Sequence, residues 1–144
     1  MEKVFEAEYE LTKFKIIYDI DKLVGEFANC KYDSEEDYED DGKSIPIGAD
    51  DGQYNTMEEY NQNVDDFVAK IKNFDNEESL LNAISAFPKK KNGTFKKNQV
   101  LSIARLNNSY YSEDEYGWPC DELRLKPIDD TTLELRVDRV VIHW

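Results

Sequence analysis

Histidine is almost missing from this chain, and the residues that staple or anchor proteins are scarce: 144 residues hold one His, two Cys, four Pro and six Gly. The single His143 stands in an apolar strand context. With no Gly-x-Ser-x-Gly elbow and no metal-ligand spacing around it, it reads as a sheet histidine rather than a catalytic one. Cys30 and Cys120 lie far apart, with no second Cys or His at a zinc spacing, so reduced thiols are expected instead of a disulfide scaffold. Cys120 is flanked by Glu113, Asp114, Glu115, Asp121 and Glu122, which disfavour a thiolate, so it reads as inert. No run approaches the roughly eighteen apolar residues that a membrane span needs. The opening MEKVFEAEYE lacks an apolar stretch behind a positive one, so the chain is expected in the cytoplasm. P-loop, dinucleotide-binding and His-Glu-x-x-His patterns are also missing, and the reading assigns neither a cofactor nor an enzymatic activity.

Positive charge is the next shortage. Eighteen Lys and Arg face 32 Asp and Glu, for a net charge of −14. The imbalance is concentrated between Lys31 and Asp66, where thirteen carboxylates meet only Lys31 and Lys43. Like charges at that density raise the free energy of any compact state, and they project a field over about one Debye length, roughly 8 Å at physiological salt. The opposite bias occurs once: residues 89–105 carry five Lys and Arg105 without an acid, followed by five acids and no base over residues 106–122. The lysine-rich stretch is expected to solvate a turn or pair internally, because the remaining charge would repel a phosphate backbone.

Aromatics are plentiful, with nine Tyr and seven Phe, which separates the chain from disordered acidic tails. Its length fits one domain. Phe5, Ala7, Tyr9 and Leu11 alternate with polar residues, and Phe14, Ile16 and Tyr18 continue in the opposite phase, which predicts two strands around a bulge or tight turn near Thr12-Lys13. Ile20, Leu23, Val24 and Phe27 predict a short helix. Residues 31 to about 55 lose apolar periodicity and read as a long acidic loop. A capping box of Thr56 and Glu59 opens a helix over about 56–73, and a second box, Asp75 and Glu78, opens another that Pro88 closes. Strands are expected at Val100–Leu106, as a hairpin over 124–128 and 133–137, and separately at 140–142. The expected fold is a single α+β domain over 1–144, an antiparallel sheet of about five strands with two to three helices on one face.

Motifs within the acidic segment fail as metal sites. The run from Asp37 to Gly42 opens like a calcium loop, but Gly48 stands where the bidentate Glu belongs, so no metal is expected. Carboxylates interleaved with tyrosines instead have a binder's composition, since a rigid aromatic with a polar tip loses little entropy on docking. The candidate partner-binding residues are Asp33, Glu35, Glu36, Asp37, Tyr38, Glu39, Asp40, Asp41, Asp50, Asp51 and Tyr54 in the first segment. In the second they are Tyr111, Glu113, Asp114, Glu115, Tyr116 and Trp118.

In size, acidity and lack of catalytic apparatus the chain resembles the DNA-mimic inhibitors, a functional class that includes many phage anti-restriction and anti-CRISPR proteins, although it shares no residue motif with them. The resemblance implies an inhibitor that occupies the Arg and Lys groups of a basic nucleic-acid-binding enzyme, a nuclease or a CRISPR or restriction effector. A bacterial immunity protein that neutralises a nuclease toxin needs the same negative surface. A small acidic enzyme or metal-binding protein is the alternative of another class. Direct contact with nucleic acid or membrane is not expected.

Overall fold

The computed structural model describes residues 1–27, 30–34, 36, 57–107 and 117–143. Two strands, β1 (Lys3–Tyr9) and β2 (Thr12–Tyr18), open the chain as a hairpin with Ala7 opposite Phe14 and Phe5 opposite Ile16. The change of phase in the sequence comes from a two-residue turn at Glu10–Leu11, immediately before the expected Thr12-Lys13, which instead open β2. Both turn residues have positive φ, 49° and 69°. Right-twisted hairpins favour this turn, but Asn-Gly is its usual occupant, and an L-residue there costs roughly 1–2 kcal/mol.

Helix α1 (Ile20–Glu26) follows at once, capped by Asp19, whose carboxylate accepts from the Lys22 backbone N–H at 3.1 Å. Helix α2 (Met57–Asn73) buries the stripe Tyr60, Val64, Phe67 and Ile71. Each such side chain contributes roughly 1.5–3 kcal/mol by leaving water. Thr56, half of the expected capping box, lies outside the described residues. Helix α3 (Glu77–Ala86) is capped by Asn76, which accepts from Ser79 N–H at 2.8 Å, and not by the expected Asp75–Glu78 box. Asp75 is committed elsewhere: it accepts from Lys3 Nζ at 3.0 Å and from the Tyr18 hydroxyl at 2.9 Å, tying the junction of α2 and α3 to the first hairpin.

The remaining strands are β3 (Leu101–Asn107), β4 (Gly117–Asp129) and β5 (Thr132–His143). The sheet order is β1-β2-β5-β4-β3, and every pair is antiparallel except β2 with β5. The sheet is therefore mixed: α1, α2 and α3 carry the chain from β2 to β3 at the far edge, and β4 and β5 then step back until β5 lies beside β2 running the same way. The predicted strand at 140–142 is the continuation of β5. A bulge at Ser102/Ala104 lets Leu101 pair with Leu125 while Ala104 and Leu106 still face the core. Phe14, Ile16, Leu123, Leu125, Leu133 and Leu135 line the helix-covered face, where α3 meets the edge strand β1 and α2 meets the other edge strand, β3.

The other face carries a charge ladder. Glu122 accepts from Arg105 Nη2 at 3.0 Å and from Arg124 Nε at 2.9 Å, and Arg136 Nε donates to Asp138 at 2.8 Å. Burial alone would raise the pKa of Glu122, but hydrogen bonds from Arg124, Arg105 and Ser102 outweigh it and hold the carboxyl below its usual value.

Candidate partner-binding surface

Strand directions give the molecule two distinct ends. The turn Glu10–Leu11 and the β4–β5 turn lie at one end, and the ends of β3 and β5 lie with the start of β4 at the other. Both acidic segments are rooted at this second end. Residues 108–116 join Asn107 to Gly117 there. Just after α1, Cys30 lies near enough to Asp121 of β4 for that carboxylate, after burial, to push its thiol pKa up.

Next to Cys30, the start of the first acidic segment is fastened to α2. The Tyr32 backbone N–H donates to Asn61 Oδ1 and Asn61 Nδ2 donates back to the Tyr32 carbonyl, both at 2.9 Å. The rings of Tyr32 and Tyr60 lie 5.3 Å apart, and Lys31 pairs with Asp65 at 3.1 Å. Both partners of that pair are about half exposed, so it adds little stability. The segment thus begins, at Lys31 and Tyr32, beside the first turns of the helix that Met57 opens. Asn61 was not a candidate from sequence, because a polar residue on an exposed helix face carries no signal of a partner distant in the chain.

Among the candidates, Asp33 and Glu36 are exposed and, with Glu58, have no ion-pair partner among the described residues. Trp118 belongs to β4, its backbone paired with Ile142, so it lies in a strand and not at a loop tip. Glu35, Asp37, Tyr38, Glu39, Asp40, Asp41, Asp50, Asp51 and Tyr54 lie outside the described residues, as do Tyr111, Glu113, Asp114, Glu115 and Tyr116. The acids nearest Cys120 are not surface charges of equal weight, since Glu122 is buried between two arginines.

Catalytic or metal-binding arrangements do not emerge among the described residues: no group of three His, Cys, Asp or Glu could hold an ion. Cys120 is buried, and that burial pushes its thiol up to about 11. Cys30 and Cys120 are both free. A cleft of about 350 Å³ between α1 and β5 is lined by Asp19, Lys22, Glu26, Glu134 and Arg136, several of them already paired. No described helix is long and apolar enough to cross a membrane.

The lysine-rich stretch at the opposite end is largely built into the fold. Phe95 plugs the core between Phe14 and Phe87, with ring centroids at 4.6 and 5.1 Å. Lys89 reaches back to the carbonyls of Ile84, Ser85 and Phe87 at the end of α3, and it lies 4.8 Å from the Tyr9 ring. Desolvation lowers its pKa. Lys90 and Lys97 share Asp130 of the β4–β5 turn, at 3.7 and 3.4 Å. Gly93, at φ +88°, lets the loop turn beside Thr12. Compared with known protein families, curated proteins and solved structures, the chain matches none of them.

Proposed function

We propose that this chain is a small cytoplasmic inhibitor that docks its acidic, tyrosine-bearing end onto a basic nucleic-acid-binding enzyme, a nuclease or a CRISPR or restriction effector, and that it acts as a DNA mimic without catalysis of its own. The observation that carries the reading is the common root of the two acidic segments: Cys30, beside Asp121, and the strand ends Asn107 and Gly117 lie at one end of the sheet. Acidic charge attached at one end steers association with a positive cleft and orients docking. The helix-to-loop ties at Tyr32 and Asn61 support it further, because a pre-positioned segment loses less freedom on binding than a free one. Carboxylates presented this way take the place of phosphates in front of Arg and Lys groups.

A pull-down from the native host, followed by identification of the retained protein, tests the reading. Retention of a basic nuclease stripped of nucleic acid, with loss of its activity, supports competition at the nucleic-acid channel. A nuclease toxin in that position would identify the immunity-protein version. If the chain retains no nucleic-acid-binding protein, the reading fails.

A further inference from the structure

The end opposite the acidic segments carries a feature that folding does not use. Glu10 and Leu11 hold the left-handed backbone of a turn that Asn-Gly would form without strain, and Leu11 is 93 % exposed. Strain retained at an exposed position, where the side chain gains no burial, points to a contact outside the fold. One more apolar side chain is exposed at this end: Ile128, pushed out by the irregularity at Pro127/Asp129, is 51 % exposed. The charge there is positive on balance. Lys13, Lys91 and Lys96 are exposed and have no ion-pair partner among the described residues; Glu8 and Glu10 are the exposed acids beside them, and Asp130 is already shared by Lys90 and Lys97.

We propose that this end is a second docking surface, independent of the acidic one, with Leu11 as its apolar anchor and the free lysines as its rim, and that its partner is a protein presenting an apolar pocket edged with carboxylates. Charge complementarity selects the acidic rim. The apolar anchor disfavours nucleic acid, whose phosphate backbone offers no such pocket, and a net charge of −14 opposes approach to an anionic bilayer. Anchors of this kind, ringed by polar contacts, dominate interface energetics.

The test uses the full chain, the turn variant Glu10→Asn with Leu11→Gly, the single variant Leu11→Asn, and the triple variant Lys13→Gln, Lys91→Gln and Lys96→Gln. Each is immobilised and exposed to host extract, and each retained protein is then purified and titrated at low and physiological salt. The expected result is one acidic-rimmed protein that binds both Leu11 variants at least about tenfold more weakly and associates more slowly with the lysine variant. The turn variant should melt no lower than the parent. An acid-to-amide variant in segment 37–41 should bind that protein as the parent does, which separates this surface from the one under "Proposed function". The inference is overturned if the parent retains no protein or if the Leu11 variants bind every retained protein unchanged. It is equally overturned if the lysine-dependent ligand proves to be a short DNA duplex, phosphatidylserine vesicles or a second copy of the chain.

Discussion

The two ends of the molecule hold opposite charge and treat it differently. At the lysine-bearing end, Lys89 caps a helix with three carbonyl contacts, Lys90 and Lys97 meet Asp130, and Phe95 sits in the core, so the stretch closes the bottom of the fold. At the acidic end the described carboxylates Asp33, Glu36 and Glu58 face solvent. Charge density alone therefore says little about role. What separates structural from available charge is whether the fold places a partner within reach: helix C-terminal carbonyls and a turn aspartate do so for Lys89, Lys90 and Lys97, while Asp33, Glu36 and Glu58 have no ion-pair partner among the described residues.

The largest effect that sharpens this contrast is expected in the lysine-bearing stretch. Phe95→Ala removes a fully buried ring and should cost about 3–5 kcal/mol of stability, measured by denaturant unfolding. A loss below 1 kcal/mol would mean that the stretch is not part of the core.

Next in size is Glu122→Ala, which removes the partner of Arg105 and leaves Arg124 with Asp138 alone, and should cost about 2 kcal/mol. The same carboxyl links stability to pH. Its folded pKa lies below the ordinary 4.5, so its contribution is complete above that value and disappears as pH falls through the lower, folded one. Asp19, Asp75 and Asp129 are depressed in the same direction. Melting temperature should accordingly fall with acidification below about pH 4.5, and Glu122→Gln should make that fall shallower; a parallel acid limb would contradict the assignment.

A comparable effect, on binding alone, is expected at the acidic end. Tyr116→Ala should weaken partner affinity by about 2 kcal/mol, chiefly through faster dissociation, with the melting temperature held. An unchanged dissociation rate would leave segment 31–66 as the only acidic contact. The smallest effect expected is that of calcium: at millimolar concentration it should give no saturable heat and no shift in melting, and a stoichiometric site would overturn the reading of Asp37–Gly48.

Much of this architecture was legible in the sequence because local periodicity is strong where one face is buried. The phase change between Tyr9 and Phe14, the stripe of α2 and the Asp129–Thr132 turn all announced themselves. Long-range choices did not. Nothing local distinguishes a strand that pairs parallel from one that pairs antiparallel, so the β2–β5 pairing was missed. Asp75 looked like a cap because its spacing to Glu78 fits a capping box, but the competing partners Lys3 and Tyr18 come from the far end of the chain. Glu122 likewise counted as surface acid until Arg105 appeared across the strand pair. The acidity of residues 31–66 was plain from composition. That Cys30 and the strand ends Asn107 and Gly117 lie at one end of the sheet required the strand order.

The central claim, that the acidic end is available to bind and not merely to solubilise, is tested most directly by the salt dependence of partner affinity. Asp37→Asn, Glu39→Gln, Asp40→Asn and Asp41→Asn together should leave the unfolding free energy within the roughly 0.5 kcal/mol typical of surface changes. The same four changes should lower affinity at low salt and flatten its decline as salt rises, because fewer fixed charges contribute to the encounter. An affinity and a salt slope identical to those of the parent chain would contradict the claim.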